Sequence, residues 1–475
     1  MGIEPLPDVD FNICVGNALV GFATYDEVKV KFRSGLDFED AMGSVSLKAQ
    51  ELQRAADLFR GGQTMAVATS GLNLKIDLQN RLSELEEELN GYLASDYGVK
   101  KLDREEYSKW VKSHQPFHWF IRFYGIMSSG GFDVVIGNPP YIEYAKVKKS
   151  YQVRGLATED CGNLYAYVME KAGALTSTDG RFGMIIPLSI CSSERMKPLR
   201  QWLSSSLPGC HISNFEIFPS KLFDGAFQRL SIVLGSRSPK DGFYISKLHR
   251  WYAAERGHLI PLISYSPVIR NLKSDLLMKI QGSQNAQILE RLMESSGALE
   301  QWCSLMATNH FVFYQEATNY WAKAVSRIPY CKKNGLVTRP AHSRVFYLND
   351  AATASIAMAC VNSSLFYLWY ISLSDGFHMN DSIVKQFPVT EGMLSDPKLR
   401  SLAQKLEKDI KNNSFVTTRN TDTDKIEIEA FKMVASKPII DEIDMALGAH
   451  YGLDEASIDY VINFDAKYRL GKADD

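Results

Sequence analysis

Asn138-Pro139-Pro140-Tyr141 follows an apolar run, Phe132-Asp133-Val134-Val135-Ile136, through a single glycine, Gly137. These four residues combine hydrogen-bond acceptors with an aromatic face. The amide oxygen of Asn138 can accept one hydrogen of an amino group and the backbone carbonyl of Pro139 the other. Two acceptors draw the nitrogen towards tetrahedral geometry, release its lone pair from a conjugated ring and aim it at an electrophilic methyl carbon. Rate then comes from orientation and electrostatics, with no strong base required. The prolines fix the loop backbone and keep N–H donors away from a site that needs acceptors. Tyr141 offers a flat ring to a base swung out of a duplex, where stacking is worth about 1–3 kcal/mol per base. The chemistry predicted is methylation of an exocyclic amino group. As a chance strand-terminating turn, the tetrapeptide is expected in roughly a few chains per thousand of this length, and its place directly after an apolar strand lowers that figure.

Other reactive residue types are less well arranged. His114 and His118 stand four apart, but Pro116 interrupts, no glutamate base lies between them and no further ligand is apparent, so no metal is predicted. The cysteines (Cys14, Cys161, Cys191, Cys210, Cys303, Cys331 and Cys360) are scattered, odd in number and never in a C-x-x-C arrangement. That pattern argues against a disulfide framework or thiolate zinc and fits a reducing cytoplasm. No paired carboxylates with a lysine suggest nuclease chemistry. The glycine pairs, Gly61-Gly62 and Gly130-Gly131, lack the strand, glycine loop and helix order that lets backbone approach a cofactor.

A catalytic loop of this kind must be carried by a sheet. Between residues 132 and 234 the pattern alternates: the buried-strand candidate at 132–136, a helix at 164–175, and strands at Phe182-Gly183-Met184-Ile185-Ile186 and Leu230-Ser231-Ile232-Val233-Leu234. The order implies a mostly parallel sheet with crossover helices, whose ligands sit beyond the carboxyl ends of the strands. Upstream, residues 11–22 read as a strand, a Gly16-Asn17 turn and a second apolar run, Ala18-Leu19-Val20. Apolar residues at Phe38, Met42, Val45, Leu52, Ala56 and Phe59, a break at Gly61-Gly62, and Leu78, Leu82, Leu85 and Leu89 predict an antiparallel helical arm whose role is packing. After Asp241 an irregular, aromatic-rich region extends to Pro388. From Pro397 onward a helical region with a charged face is expected, interrupted by a polar connector at 412–424.

At 475 residues, with 45% hydrophobic and 23% charged residues, the chain reads as two or three folded domains rather than a disordered segment. Net charge is −2, so any nucleic-acid surface must come from local clustering. One such cluster exists: residues 318–349 contain no Asp or Glu, yet Lys323, Arg327, Lys332, Lys333, Arg339 and Arg344 interleave with Tyr320, Trp321, Tyr330, His342 and Tyr347. Lysines suit phosphates and arginine forks read base edges, so the stretch is a candidate for recognising a target sequence; its alternative is a solvated face. No export signal or membrane span is expected, which points to a cytoplasmic protein.

Pro116-Phe117-His118-Trp119, and Gly130 continuously through to Tyr141, resemble the catalytic motif of type IIG-like adenine-N6 DNA methyltransferases of restriction-modification systems. The likeness extends to Pro5-Leu6-Pro7-Asp8-Val9-Asp10-Phe11-Asn12 with Gly16-Asn17-Ala18-Leu19, and to Gly180-Arg181-Phe182-Gly183-Met184-Ile185-Ile186-Pro187. It continues through Asn362-Ser363-Ser364-Leu365-Phe366 and Gln386-Phe387-Pro388, which resemble a TaqI-like specificity domain. Lys437-Pro438-Ile439-Ile440-Asp441-Glu442-Ile443-Asp444 and Asp465-Ala466-Lys467-Tyr468-Arg469 resemble the family's tail. The resemblance implies an α/β fold: a partial Rossmann-like methyltransferase sheet with a helical insertion (1–245, arm about 36–95), an α+β target-recognition domain (246–392) and a helical carboxyl-terminal region (393–475). It implies that Asn138, Pro139, Pro140 and Tyr141 hold a flipped adenine in double-stranded DNA, that Asn17 and Asn138 line S-adenosylmethionine, and that Phe223 or Phe227 stacks on the base's other face. Lys146, Lys148 and Lys149, just after the loop, are candidates for phosphate contacts, with a solvated face as the same alternative.

The family's glycine-rich loop for the methionine moiety and its acidic residue for the ribose have no counterpart here. The expectation is therefore a site-specific methyltransferase subunit or fragment of a restriction-modification or phage-defence system, completed by a partner polypeptide. One alternative is a catalytically silent DNA-binding subunit. Another is a methyltransferase of protein glutamine side chains, against which the basic segment argues.

Overall fold

The computed structural model describes residues 12–32, 38–63, 68–225, 227–271 and 273–471. Residues 5–11, quoted above, lie outside them, as do the side chains of Phe38, Met42 and Phe59. The fold is mixed α/β. Its strands are β1 (Phe132–Gly137), β2 (Thr176–Pro187), β3 (Gly209–Phe215), β4 (Leu230–Ser236), β5 (Phe243–His249), β6 (Ser266–Pro267), β7 (Cys303–Ser304), β8 (His310–Gln315), β9 (Cys331–Lys333), β10 (Leu336–Val337), β11 (Ser343–Leu348), β12 (Ser414–Asn420) and β13 (Lys425–Phe431). The largest sheet has the order β1-β2-β4-β3-β5-β6 and is mixed: β1 and β2 are parallel, β5 and β6 antiparallel. The chain divides into two units, one of Met1–Ile190, Arg195–His211 and Ile232–Phe243, the other of Cys191–Glu194, Ile212–Ser231 and Tyr244–Asp475.

In the first unit, helices Phe38–Gln63 and Ala68–Asp96 pack against each other. Val45, Leu52, Leu78, Leu82, Leu85 and Leu89, singled out by their spacing, are buried in one core with Val20, Phe22, Trp110 and Phe120. The expected break at Gly61-Gly62 does not occur, because the first helix runs through both glycines to Gln63. Residues 12–24 also depart from expectation. They form turns rather than a strand, with an isolated bridge between Asn17 and Pro116. Helix Leu164–Leu175 starts at Asn163, whose side chain accepts from Tyr165 N–H, and it packs on β1 and β2. Phe182, Met184 and Ile186 alternate along β2 and are buried.

β1 is not the buried strand that its composition predicts. Val134 is 59% and Ile136 78% exposed. Composition anticipates partners on both sides of a Val/Ile run, but among the described residues β1 stands at the end of the strand order and pairs with β2 alone.

The second unit holds a three-stranded sheet, β7-β11-β8, and a four-stranded one, β10-β9-β13-β12. The latter corrects the helical reading of the carboxyl-terminal region. Residues expected to form a polar connector and helix make the β12–β13 hairpin, registered from Ser414↔Phe431 to Asn420↔Lys425, and β13 pairs with β9. The run Val416-Thr417-Thr418 is β-branched and fits a pleated strand better than a helix. Helix Pro397–Asn412 stops just before it; Asp396 caps its start by accepting from Lys398 N–H and Leu399 N–H, and Leu399, Leu402, Ala403, Leu406 and Ile410 form its buried stripe. Among the described residues no single helix is long and apolar enough to cross a membrane. The bent apolar pair Ala351–Asn362 and Ser364–Leu373 is largely buried within this unit.

Candidate active site

β1 ends at Gly137, where space is short: a Cβ there would lie 3.0 Å from Met184 Sδ on β2. The chain then leaves the sheet through the tetrapeptide. Pro139 is buried, Asn138 and Pro140 are exposed, and Tyr141 is half-buried. The Tyr141 hydroxyl lies 2.6 Å from Asn138 Oδ1 and 3.0 Å from the carbonyl oxygen of Ile185 on β2. Burial raises the phenol's pKa, so the hydroxyl keeps its proton and donates it to one of these acceptors at a time. The Asn138 amide and the Ile185 carbonyl thus compete for one proton, and when Asn138 Oδ1 accepts it, the second lone pair of that oxygen stays open to another donor.

The next residues are stitched down. Leu164 N–H donates to Ile142 O (3.0 Å) and Tyr144 N–H to Gly162 O (2.9 Å). Glu143 accepts from Asn163 Nδ2 (3.2 Å) and from Arg195 (2.6 Å), and the Arg195 hydrogen bond holds its carboxyl below the usual range. Val153 N–H donates to Tyr144 Oη at 2.9 Å. These bonds anchor the loop to the start of helix Leu164–Leu175. Lys146, Lys148 and Lys149 are all exposed, with no ion-pair partner among the described residues.

Asn17 is half-buried; its N–H donates to Gln115 O (2.8 Å), and its Oδ1 accepts from Leu19 N–H (3.1 Å). Its segment is linked to β1 through Trp119, which donates to Ala18 O (3.3 Å) and sets its ring edge-on to Phe132, centroids 6.4 Å apart. That attachment is at the entry of β1, whereas Asn138 stands beyond its exit, on the order of 17 Å of strand away. Asn138 and Tyr141 are in direct contact; among the described residues the hydrogen bonds of Asn17 go to Gln115, Leu19 and Val20 instead.

Both histidines have structural partners. His118 is fully buried; its Nδ1 accepts from Phe22 N–H (3.2 Å), its Nε2 lies 3.1 Å from Asn90 Oδ1, and burial lowers its pKa to about 3. His114 stacks on Trp110 and accepts from Gln152 N–H at 3.1 Å.

Phe223 and Phe227 belong to the second unit and are 39% and 69% exposed. The Phe227 ring meets Phe218 edge-on (5.6 Å), with the Lys221 ammonium 5.6 Å from its centroid. Arg256 donates to the carbonyls of Lys221 (3.0 Å) and Leu222 (2.5 Å). An ion pair between Glu216 and Arg229 closes the base of this loop, and Arg250 joins Glu216 to Asp465.

The six cations of residues 318–349 do not form one free surface. Arg327 makes a two-pronged pair with Glu429 (2.6 and 2.5 Å), Lys333 pairs with Asp424 (2.9 Å), and Arg344 with Glu316 (2.8 Å) and Asp381 (3.5 Å). Lys323 is half-buried, and desolvation lowers its pKa. Lys332 lies 5.7 Å from the Tyr330 ring centroid. Arg339 is exposed, bonded to Ser343 (2.8 Å), and with His342, Arg344 and Asp381 lines a shallow recess of about 400 Å³. Acid-free in sequence, the segment receives its carboxylates from 28 to 102 residues away. The Ile185 carbonyl, Arg195 and Glu429 were missed by sequence reasoning, and no local pattern marks them.

The strand-to-tetrapeptide segment lies inside a restriction-modification methylase-like region: residues 62–223 match the family model of the Eco57I restriction-modification methylase. A Methanocaldococcus jannaschii protein named as a candidate type II restriction enzyme and methyltransferase is 25% identical over 273 residues, covering 50% of this chain and 23% of its own length. The chain thus spans about a quarter of that relative. Among solved structures, the type IIL restriction-modification enzyme MmeI in complex with DNA is 11% identical, covering 71% of this chain and 57% of its own, with a TM-score of 0.37. The DrdV–DNA complex is 13% identical over 39% of this chain and 23% of its own, with a TM-score of 0.25.

Proposed function

We propose that this chain is the target-base and target-sequence part of a site-specific adenine-N6 DNA methyltransferase in a restriction-modification or phage-defence system. The observation that carries the reading is the Asn138 amide oxygen, held 2.6 Å from the Tyr141 hydroxyl at the exit of β1. A flipped adenine would stack on Tyr141 and give its two N6 hydrogens to Asn138 Oδ1 and Pro139 O, which prepares the nitrogen lone pair for attack. Lys146, Lys148 and Lys149 would contact phosphates, and Arg339 with the recess beside it would take part in reading the sequence.

S-adenosylmethionine would supply the electrophilic methyl, but the described residues do not fit it well. Gly61 and Gly62 lie inside a helix. Gly131 is packed so tightly that a Cβ would lie 2.6 Å from Leu175 O, so it is a chain crossing and not an open cradle. Asn17 and Asn138 are the remaining candidates for the cofactor's side, and a partner polypeptide would supply the rest. The same misfit favours a second reading, a catalytically silent DNA-binding subunit. Methylation of plasmid adenine by the purified chain, alone and with its partner, decides between them. Transfer that is lost in Asn138→Ala supports the methyltransferase; DNA binding without transfer in either form supports the silent subunit.

A further inference from the structure

The segment 465–469 reaches back across 212 to 218 residues of sequence, to Arg250 and Glu255. From these, two paths lead to the loop 217–229, which carries Phe223 and Phe227, and both lie within the second unit. The first path is buried and charged. Asp465 Oδ2 accepts from Arg250 Nη1 (2.5 Å) and from the Tyr367 hydroxyl (3.1 Å). Arg250 stands 3.5 Å from Glu216 Oε2, and the other oxygen of Glu216 pairs with Arg229. Glu216 precedes the loop and Arg229 ends it, so this pair closes the loop's neck. The backbone of Gly376 seals the neck from one side: a Cβ there would lie 2.6 Å from Glu216 Oε2. Charges alternate along the path, and without Asp465 two buried guanidiniums would share one carboxylate. The second path is exposed. Lys467 pairs with Glu255, whose other oxygen accepts from Tyr252 N–H (2.9 Å). Glu255 lies in the turn Ala253–His258, and its neighbour Arg256 forks onto the carbonyls of Lys221 (3.0 Å) and Leu222 (2.5 Å). Lys221 carries the restraint onward, donating to Asp224 O (3.2 Å) and standing 5.6 Å from the Phe227 ring centroid. The segment 465–469 is itself fixed by Arg469, which is 3% exposed, lies over the rings of Trp321 and Tyr367 (4.2 and 4.3 Å) and donates to Ser364 Oγ (3.1 Å).

We propose that the segment 465–469 is the positioning element of the aromatic loop: Asp465 fixes its neck through Arg250 and Glu216, and Lys467 fixes its shoulder through Glu255 and Arg256. Both are positioning residues, acting through arginines and not on the base itself. The proposal rests on the methyltransferase reading, in which Phe223 or Phe227 is the second stacking platform, and adds the part of the chain that sets that platform. Phe223 and Phe227 are 39% and 69% exposed, so the loop has few buried contacts of its own and takes its order from outside. The Glu216–Arg229 pair closes the loop without orienting it; Arg250 and Arg256 orient it by holding it at two places. A platform set in advance spares the entropy of ordering it when the base arrives.

The test places a trifluoromethylphenylalanine in the full chain at position 223, at 227 or, as the control, at 311 on β8, and reads fluorine NMR without DNA. Lys467→Met and Glu255→Gln each remove one half of a pair whose side chains are 53% and 41% exposed, so circular dichroism should show both variants folded. Each should shift or broaden the loop resonances and leave position 311 unchanged, and the double variant should do no more than the larger of the two, because a single interaction is removed in every case. In single-turnover methyl transfer to plasmid by the complete enzyme, the same variants should slow the step at saturating DNA by about two- to fivefold, the range for one exposed ion pair, with DNA affinity unchanged. Asp465→Asn should slow it by at least about tenfold, since it leaves a buried cation without its partner, and Asp465→Glu, which keeps the charge, should recover most of the rate. Loop resonances indifferent to both Lys467→Met and Glu255→Gln, changes that reach position 311 equally, or effects of the two substitutions that add would overturn the proposal. The two readings fail separately. Loop resonances that respond while transfer keeps its wild-type rate retain the role of segment 465–469 and remove the loop from the methyltransferase reading; slowed transfer with silent resonances does the reverse.

Discussion

Replacing Tyr141 by phenylalanine separates two roles of one side chain. The ring remains and so, on the methyltransferase reading proposed above, does its stacking on the flipped base, worth about 1–3 kcal/mol per base. What is lost is a hydroxyl 2.6 Å from Asn138 Oδ1 and 3.0 Å from Ile185 O. A hydrogen bond of this kind contributes about 0.5–1.5 kcal/mol net. Asn138 is exposed, and no other side-chain hydrogen bond holds its amide among the described residues. Without the hydroxyl the amide turns freely and presents its oxygen to the base for only part of the time. The penalty falls on orientation for methyl transfer and amounts to about 2- to 13-fold in the chemical step. The assay is single-turnover transfer of tritiated methyl to a plasmid by the complete enzyme, with base flipping followed by 2-aminopurine fluorescence. Tyr141→Phe should slow transfer while leaving the flipping signal and DNA affinity unchanged; Tyr141→Ala should lose both. A Tyr141→Phe rate equal to wild type, or a loss of flipping as large as in the alanine variant, would refute the orienting role.

Asn138→Ala should reduce transfer by about 10²–10³-fold, the scale for removing a preorganised polar group from a reacting centre, with DNA affinity by fluorescence anisotropy unchanged; activity within tenfold of wild type would contradict the assignment. Of Phe223→Ala and Phe227→Ala, one should lose the 2-aminopurine signal by about tenfold, as expected for one stacked base, and normal flipping in both would exclude this loop as the second platform. Exchanging Lys146, Lys148 and Lys149 for glutamine should lower the slope of log K against log salt by about 2–3, whereas Arg327→Gln, already paired with Glu429, should leave it unchanged. Glu429 is held at a pKa of about 2, below its ordinary 4.5, chiefly by the Arg327 hydrogen bond. Its contribution to stability is therefore complete above pH 4.5 and lost as pH falls through about 2. Allowing for the 35% exposure of the Arg327 side chain, that contribution is about 1–2 kcal/mol, so Glu429→Gln should flatten the fall in urea-unfolding free energy over this pH window.

By itself the sequence determined whatever is encoded within one strand, turn or helix. The β-branched run before Gly137 specified β1, the prolines and Tyr141 specified the loop, and the spacing of Val45, Leu52, Leu78, Leu82, Leu85 and Leu89 specified the buried stripes of two helices. These follow from periodicity and turn chemistry, which act over a few residues. The tertiary structure alone decided which groups meet. Ile185, 44 residues from Tyr141, supplies a carbonyl to its hydroxyl, and Glu429, 102 residues from Arg327, removes that arginine from a cluster that looked free. The hairpin at Ser414–Asn420 and Lys425–Phe431 likewise draws on β9, a partner that its own composition does not name. Whether a Val/Ile strand is central or an edge depends on what lies beside it, and β1 has the composition of the first with the exposure of the second.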